Sequence, residues 1–316
     1  MADARVDEMK TSSKAQNRSF IQVLGNSPIP WILPLVLILI CIFLYPIIEI
    51  VRLSFTNASL VGDDYSYTLS SYTSLFTSPG FVKMLWVTAF FVGFSVLFQM
   101  AFGFVIALMI DQGTKRNLVG TVVTRTAVLS AWAIPGVIIG IIWSLLYSET
   151  EAGILNYFLS LAGVTDPVAF LSDPINALIS VTVANIWRGT AFSMIFVYAG
   201  LQTFPNDVIE AAKIDGAGAF QRLFRVIIPI LKPIILVNLI VITVETFNTF
   251  DMVMALTGGG PGRSTEVIAL SIYNQIFNNF HLGEGAAAAV VLLVINIALT
   301  VVYFRFLEKG SQEGRA

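Results

Sequence analysis

The chain has 316 residues, of which 56% are hydrophobic and only 12% are charged, with a mean hydropathy of +0.80 and a formal net charge of −2. A soluble domain carries about 25% charged residues, so the composition excludes an ordinary soluble protein, and the charge balance gives no indication of nucleic-acid binding. One cysteine (Cys41) and one histidine (His281) exclude an intrachain disulfide and a cysteine-ligated cluster, and they argue against a zinc site.

The chain begins with a polar segment, residues 1–29, that contains Arg5, Lys10, Lys14 and Arg18. The apolar run that follows is too long for a signal peptide and does not end in a small-residue cleavage site. We therefore predict that this segment is a retained cytosolic tail.

Six long apolar runs follow, each of about the 20 residues that a helix needs to cross the hydrocarbon core of a bilayer. The chain is therefore predicted to be an all-α integral membrane protein with six transmembrane helices. Pro34, Pro46 and Pro135 lie inside these runs and are expected to kink them unless neighbouring groups satisfy the freed backbone. We place the spans near residues 31–51, 85–110, 126–147, 175–201, 229–250 and 285–306.

The distribution of lysine and arginine predicts the orientation of the spans. With the N-terminus inside, fourteen of the eighteen basic residues lie in inside segments, three lie outside and Arg188 lies within a span. Because cytoplasmic loops carry an excess of these residues, both termini and the loop 203–228 are predicted to be cytosolic. The predicted organisation is a tail (1–29), a six-span domain (30–308) and a second tail (309–316).

The three outside loops, near residues 53–84, 148–174 and 251–284, are long, and a short helix is predicted from Ile154 to Leu161. They are interpreted either as a docking surface for a partner or as a cap over the helices. The glycine-rich run Thr257–Thr265, TGGGPGRST, lacks the G-x-x-x-x-G-K-[ST] spacing of a phosphate-binding loop, and we predict a tight turn there instead.

Polar side chains recur on single faces of the predicted spans, such as Ser95 with Gln99. A charge at the bilayer centre costs roughly 3 kcal/mol on insertion scales, so such groups normally face a bundle interior or a watery cavity. Amides and carboxylates bind hydroxyl groups and aromatic rings stack on sugars, which indicates a pathway for a polyhydroxylated solute. A structural pairing of Arg188 with Glu245 or Asp251 stays open as the alternative. The predicted pathway residues are Asn185, Trp187, Arg188, Asn238, Glu245, Asn248 and Asp251.

The stretch from Glu210 to Pro233 is the most polar internal segment between long apolar runs. Its apolar residues have helical spacing, and Gly216 interrupts them, which predicts a helix, a glycine turn and a second helix. Asp207 and Glu210 have the spacing of a capping box with Asp207 at the cap. The pattern by itself is equally consistent with a solvated loop.

This stretch, EAAKIDGAGAFQRLFRVIIPILKP, resembles the EAA loop of binding-protein-dependent ABC importer permeases. The segment Leu256–Val267, LTGGGPGRSTEV, is similar to the one after the fifth core span in maltose-type carbohydrate-uptake permeases, typically the first permease of the pair. The chain departs from the maltose permease in having no extra N-terminal spans and no large folded outside domain. The positions that match the EAA pattern are Glu210, Ala211, Ala212, Asp215, Gly216, Ala217, Phe220, Ile228, Pro229 and Pro233.

The resemblance implies half of a heterodimeric pore in the bacterial inner membrane that imports a sugar or sugar-like solute by ATP-driven alternating access. It implies three partners: a second permease, a homodimer of cytosolic ATP-binding subunits and an extracytoplasmic solute-binding protein. ATP and Mg would be bound by the ATPase, so this chain would bind no cofactor and would not be an enzyme. The alternatives are an importer for an amino acid, polyamine or anion, or a stand-alone channel or membrane enzyme.

The resemblance also implies that the 203–228 loop docks into the ATPase. Glu210 would offer a carboxylate to a basic ATPase residue, and Phe220, Leu223 and Phe224 would anchor the second helix against the span ends. The implied coupling residues are Glu210, Ala211, Ala212, Asp215, Gly216, Ala217, Phe220, Leu223 and Phe224.

Overall fold

The computed structural model of the protein describes residues 28–62, 64–150 and 153–313. The predicted N-terminal tail lies almost wholly outside the described residues, as does the end of the predicted C-terminal tail. Within the described ranges the chain divides into two compact units, one up to Leu53 and one from Ser54 onward.

The described chain is a succession of α-helices, with one isolated antiparallel bridge between Thr56 and Tyr67. Five-residue π-helical segments continue an α-helix at Ile40–Leu44, Leu223–Ile227 and Asn274–Asn278. The α-helices are α1 (Ile29–Leu39), α2 (Tyr45–Ser54), α3 (Ser70–Thr77), α4 (Pro79–Lys115), α5 (Thr121–Ala133), α6 (Gly136–Leu146), α7 (Ile154–Leu161), α8 (Pro174–Gln202), α9 (Asn206–Ile214), α10 (Ala219–Arg222), α11 (Ile228–Phe247), α12 (Asp251–Thr257), α13 (Ile268–Tyr273) and α14 (Leu282–Glu313).

Each of the six predicted apolar runs falls on a helix, or a bent pair of helices, long and apolar enough to cross a membrane. This confirms the predicted all-α membrane fold, and it corrects some of the boundaries. The second crossing is a helix of 37 residues, α4, rather than the 26 residues of the run 85–110. The fifth ends at Phe247 and not at residue 250.

The third predicted span, 126–147, is wrong as a single straight helix. α5 ends at Ala133 and α6 begins at Gly136, and their axes differ by 103°. Between them Ile134 is extended, as expected for a residue that precedes proline, and Pro135 has no N–H to continue the helical hydrogen bonds. The proline therefore breaks this span, where a kink was expected.

The first crossing, formed by α1, the π-helical segment and α2, presents its large apolar side chains outward, including Leu35, Phe43 and Ile48. An ion pair joins Arg52 to Glu49 at 2.9 Å between the Arg52 Nε and Glu49 Oε2 atoms. Outward apolar side chains are what a helix surrounded by lipid or by another membrane protein requires.

The core of the second unit is built on α4 and α8, which pack along most of their lengths. Phe91 of α4 and Met194 of α8 are completely buried. At Gly103 the two backbones approach so closely that an added Cβ would lie 2.8 Å from the Met194 amide nitrogen. α5 and α11 also pack on α8, so α8 is the helix around which the unit is arranged.

The loop between α6 and α8 is closed by the side chain of Glu149. Its Oε1 atom accepts hydrogen bonds from the amides of Leu171 (2.7 Å) and Ser172 (2.8 Å), and its Oε2 atom accepts one from the Ser172 hydroxyl. The loop contains α7, which matches the helix predicted from Ile154 to Leu161. One carboxylate thus joins the two ends of a loop of more than 20 residues.

These hydrogen bonds make the loop sensitive to pH. The hydrogen bond from the Ser172 hydroxyl lowers the pKa of Glu149 below its ordinary value of 4.5; burial, the second-largest effect, raises it, and the hydrogen bonds from the two backbone amides lower it further. Because the pKa is lower in the folded state, this contribution is present above pH 4.5 and is lost as the pH falls through the folded pKa. We expect the Leu171 and Ser172 amides to lose hydrogen-exchange protection as the pH is lowered below 4.5.

The Glu149→Gln variant is expected to lack this pH step, whereas Asp166→Asn, which removes an exposed carboxylate from the same loop, is expected to retain it. Hydrogen exchange measured by mass spectrometry distinguishes the two variants. An unchanged pH step in Glu149→Gln would contradict this role for Glu149.

Candidate solute pathway and coupling loop

The loop between α8 and α11 folds as a helix, a turn and a second helix, as the sequence predicts. α9 ends at Ile214, and Gly216 adopts a φ of +79°, a left-handed conformation that glycine accepts without strain. The predicted capping box is wrong, because Pro205 occupies the cap position and Asp207 lies inside the first turn without a capping hydrogen bond. There the Asp207 carboxylate complements the positive end of the helix instead.

The apolar side chains of this loop are more exposed than predicted. Phe220 is 79% exposed and Phe224 is 62% exposed, so neither anchors the second helix against the spans. A different set of apolar side chains faces the core of the second unit: Leu223 is half-buried, and Val226 and Ile227 pack against the buried hydrophobic cluster there. Since these three residues are spaced i, i+3 and i+4, they form the packed face, and the two phenylalanines lie outside it.

A groove of about 740 Å³ lies between the end of α4 and this loop. On its wall the buried Asp111 carboxylate accepts a hydrogen bond from the Gln202 amide (3.1 Å) and pairs with Lys115 (2.9 Å). Glu210 lines the groove as well and is exposed. Its ionisable residues are Asp111, Lys115, Arg116, Glu210, Lys213 and Arg222, so cations outnumber carboxylates.

A second, much smaller cavity of about 30 Å³ lies within the second unit, among α4, α5, α8 and α11. Three of the predicted pathway residues, Asn185, Arg188 and Glu245, line it together. The full lining is Gln99, Trp132, Asn185, Arg188, Gly189, Phe192, Ile242, Glu245, Thr246 and Thr249.

The other four predicted pathway residues lie outside this lining. Asn238 is fully buried and donates from its amide to the Met100 sulfur at 3.0 Å. Trp187 is partly exposed, with its ring edge-on to Trp143 at a centroid distance of 6.0 Å. Asn248 is exposed and donates to the Val244 carbonyl at 2.7 Å. The fourth, Asp251, is the ion-pair partner of Arg188.

The charges beside the cavity are arranged around Arg188. Its Nη1 atom lies 3.7 Å from the Asp251 Oδ1 atom, so of the two predicted partners the structure selects Asp251. The Asp251 carboxylate in turn contacts the backbone at Gly136, where an added Cβ would overlap it. Glu245 makes no ion pair within the described part of the chain, and it is exposed.

Two buried amide side chains of the lining carry unsatisfied atoms. The Gln99 Nε2 atom donates to the Asn185 backbone carbonyl at 2.8 Å, but the Gln99 Oε1 atom has no hydrogen-bond partner. The Asn185 Nδ2 atom is also buried and unpaired. Buried polar atoms are normally hydrogen-bonded, so a buried, unpaired acceptor and donor in the residues that line a cavity indicate a place for a further polar group.

Several residues that line the cavity are not predicted from the sequence. Thr249 follows Glu245 by four residues, and this spacing is a signal that could have found it, whereas Thr246 is adjacent to Glu245 and has no such signal. Trp132 precedes the break at Pro135, and its position depends on the direction the chain takes there. Phe192, one turn beyond Arg188, contacts Trp132 at a ring-centroid distance of 5.7 Å.

Residues 86–310 match the family described as "Binding-protein-dependent transport system inner membrane component". The chain is 33% identical over 275 residues to the trehalose/maltose transport system permease protein MalF of Thermococcus litoralis, covering 87% of this chain and 91% of that protein. It is 31% identical over 297 residues to the sn-glycerol-3-phosphate transport system permease protein UgpA of Agrobacterium fabrum, covering 92% and 99%.

Solved structures show the same fold. A chain of a bacterial ABC transporter involved in the import of the acidic polysaccharide alginate superposes with a TM-score of 0.78 at 21% identity, over 95% of this chain and 99% of that one. A chain of the MetNI methionine ABC transporter, in inward-facing conformations, superposes with a TM-score of 0.54 at 15% identity, over 72% and 95%.

Proposed function

Since the chain belongs to the family of binding-protein-dependent transport system inner membrane components, we propose that it imports a sugar or sugar-like solute as the first permease of a pair. It is a multi-pass, non-catalytic membrane subunit of an ABC importer. The observation that carries the proposal is the exposed loop around Glu210, in which Ile214, Phe220 and Phe224 are all exposed. Such a set of apolar side chains beside a carboxylate favours a protein partner.

The solute class follows from the relatives and from the cavity. The similar permeases serve trehalose and maltose, sn-glycerol 3-phosphate, and sulfoquinovosyl glycerol, all of which carry at least two hydroxyl groups. The cavity lining offers amides, a carboxylate, a guanidinium and a tryptophan, which are groups that bind hydroxyls and sugar faces. An inorganic anion fits this lining less well.

In the proposed mechanism the loop from α9 to α10 docks into a cleft of a separate ATPase that binds ATP and Mg. Small side chains allow the ATPase to approach the loop closely, at Ala211, Ala212 and Ala217. The turn of the loop is formed by Asp215 and Gly216. ATP-driven closure of two ATPase subunits would move the loop as a rigid body and tilt the spans between inward-facing and outward-facing states. A second permease would complete the pore, and a solute-binding protein would deliver the solute.

This mechanism requires the loop 203–228, and with it both termini, to lie in the cytosol of a bacterial cell. The excess of lysine and arginine on that side supports the orientation. The proposed organisation retains a permease domain over residues 30–308 between two short cytosolic tails.

The direct test is uptake of a radiolabelled disaccharide into proteoliposomes that contain this chain with its second permease and ATPase. We expect uptake to require both ATP and the loaded binding protein. Uptake that continues without the ATPase would instead favour the stand-alone channel.

The turn at Gly216 is expected to belong to the surface that docks on the ATPase. A Cβ built there meets no atom within 4 Å, so a larger side chain fits the isolated chain and costs only about 1–2 kcal/mol for the left-handed backbone. We expect Gly216→Trp to insert normally and yet lose uptake, because the indole would block docking. Gly216→Asn, which tolerates this backbone, is the control and should retain most of the uptake. Normal uptake by Gly216→Trp would contradict the docking role of this turn.

The charged residues at the cavity, Arg188 and Glu245, are expected to influence how loaded binding protein stimulates ATP hydrolysis. Arg188→Ala leaves Asp251 without its guanidinium partner, and Glu245→Ala removes a carboxylate from the lining. We expect both variants to change the stimulation of ATP hydrolysis by loaded binding protein, by several-fold for Arg188→Ala. Unchanged stimulation and uptake in both would mean that the cavity lies off the solute pathway.

A further inference from the structure

We infer that the cavity beside Arg188 selects an uncharged polyhydroxylated solute and rejects solutes that carry a phosphate, sulfonate or carboxylate group. The inference rests on the proposed function and narrows its solute class. The relatives do not decide this point, because they include permeases for a neutral disaccharide and for a phosphate ester. The arrangement of charges in this chain decides it.

The charges around the cavity sum to −1. One guanidinium, that of Arg188, and two carboxylates, those of Asp251 and Glu245, lie in or beside the cavity. The Arg188–Asp251 pair at 3.7 Å is neutral as a unit. Glu245, which has no ion-pair partner in the described ranges, therefore leaves the site with a net charge of −1.

Asp251 competes with an anionic solute for Arg188. The Asp251 carboxylate lies against the backbone at Gly136, the first residue of α6. The positive end of the helix dipole favours a carboxylate at that place, so Asp251 is held there. An anion that captured Arg188 would leave Asp251 and Glu245 uncompensated and would itself lie close to both.

A neutral solute would gain hydrogen bonds at the cavity. A hydroxyl group donates and accepts at once, and the buried Gln99 Oε1 acceptor and Asn185 Nδ2 donor are both unpaired. The cavity of about 30 Å³ has room for a hydroxyl or hydroxymethyl group but not for a sugar ring. The remainder of the solute would extend over Trp132, whose ring is about half exposed. The lining thus fits one edge of a neutral sugar or polyol.

The test compares matched pairs of probes that differ by one phosphate: trehalose with trehalose 6-phosphate, and glycerol with sn-glycerol 3-phosphate. Binding to the purified transporter, with both permeases and the ATPase in lipid nanodiscs, is followed by tryptophan fluorescence. For the pair that binds, we expect the neutral member to bind at least about tenfold more tightly, since like charges within a few ångströms repel strongly in a partly desolvated site. The preference should weaken as salt is raised.

Glu245→Gln is expected to reduce the preference about tenfold, whereas Asp166→Asn removes the same charge from a distant exposed loop and should leave it unchanged. If Glu245→Gln fails to assemble, the preference of the wild-type transporter for the neutral probe, and the salt dependence of that preference, still test the inference.

Equal or tighter binding of the phosphorylated probes would overturn the inference, and so would the absence of binding by either member of every pair. ATP-dependent import of an anion would overturn it and leave the proposed function intact, whereas the absence of any ATP-dependent import would overturn the proposed function itself.

Discussion

Replacement of Glu210 by lysine is expected to abolish ATP-driven uptake while the protein still inserts and assembles with its second permease. Glu210 is exposed and makes no ion pair in the described part of the chain, so its replacement costs the fold little. It lies on a groove where Lys115, Arg116, Lys213 and Arg222 already outnumber Asp111 and Glu210. Lysine would add a fifth cation and face the basic ATPase residue proposed for the docking site.

An exposed ion pair is worth roughly 1 kcal/mol or less, so removal of the charge should be milder than its reversal. Glu210→Gln is therefore expected to lower uptake and Glu210→Lys to abolish it. Asp166→Lys, in the loop between α6 and α8, controls for a charge reversal elsewhere. Uptake in proteoliposomes and co-purification with the ATPase are the measurements. Full uptake by Glu210→Lys would remove the loop from the coupling mechanism.

Replacement of Gly103 by leucine is expected to prevent stable folding. An added Cβ would lie 2.5 Å from the Ser193 Cβ atom and 2.8 Å from the Met194 amide nitrogen. Since the opposing atoms belong to the backbone of α8 or are attached to it directly, no side-chain rotation can make room. Overpacking typically costs about 1–3 kcal/mol and occasionally more, and here it acts on the helix pair that organises the second unit.

Gly93, on the same helix, provides the matched control. A Cβ at Gly93 meets nothing within 4 Å, and this residue is exposed. Gly93→Leu should fold normally, and its better helix propensity could add up to about 1 kcal/mol of stability. Thermal unfolding and monodispersity in detergent would distinguish the two variants. Equal stability would mean that α4 and α8 are not as closely packed as described.

The elements of this fold follow from local sequence. Runs of about 20 apolar residues predict the crossings because an unsatisfied backbone cannot lie in lipid, whatever the neighbouring helices are. The helix over residues 154–161 and the helix–glycine–helix of the coupling loop follow in the same way, from periodicity and from the conformational preference of glycine. These features depend on residues a few positions apart, which is why the sequence by itself determined them.

The site depends on residues far apart in the chain. Sequence spacing places Asn238 and Glu245 on one helical face, yet Asn238 is buried against Met100 and Glu245 lines the cavity, because the neighbours of α11 change along its length. The resemblance implied that Phe220 packs inward, and the structure leaves it exposed beside a half-buried Leu223.

The sequence by itself determined the membrane class, the six apolar runs and the helix–glycine–helix of the loop 203–228, since each is encoded by a local pattern. Only the tertiary structure decided the 103° angle between α5 and α6, and that Arg188 pairs with Asp251 and not with Glu245. The physical reason is that α6 packs against α12, the helix that begins at Asp251. A pattern along one helix contains no information about which other helix will lie within 4 Å of a given side chain.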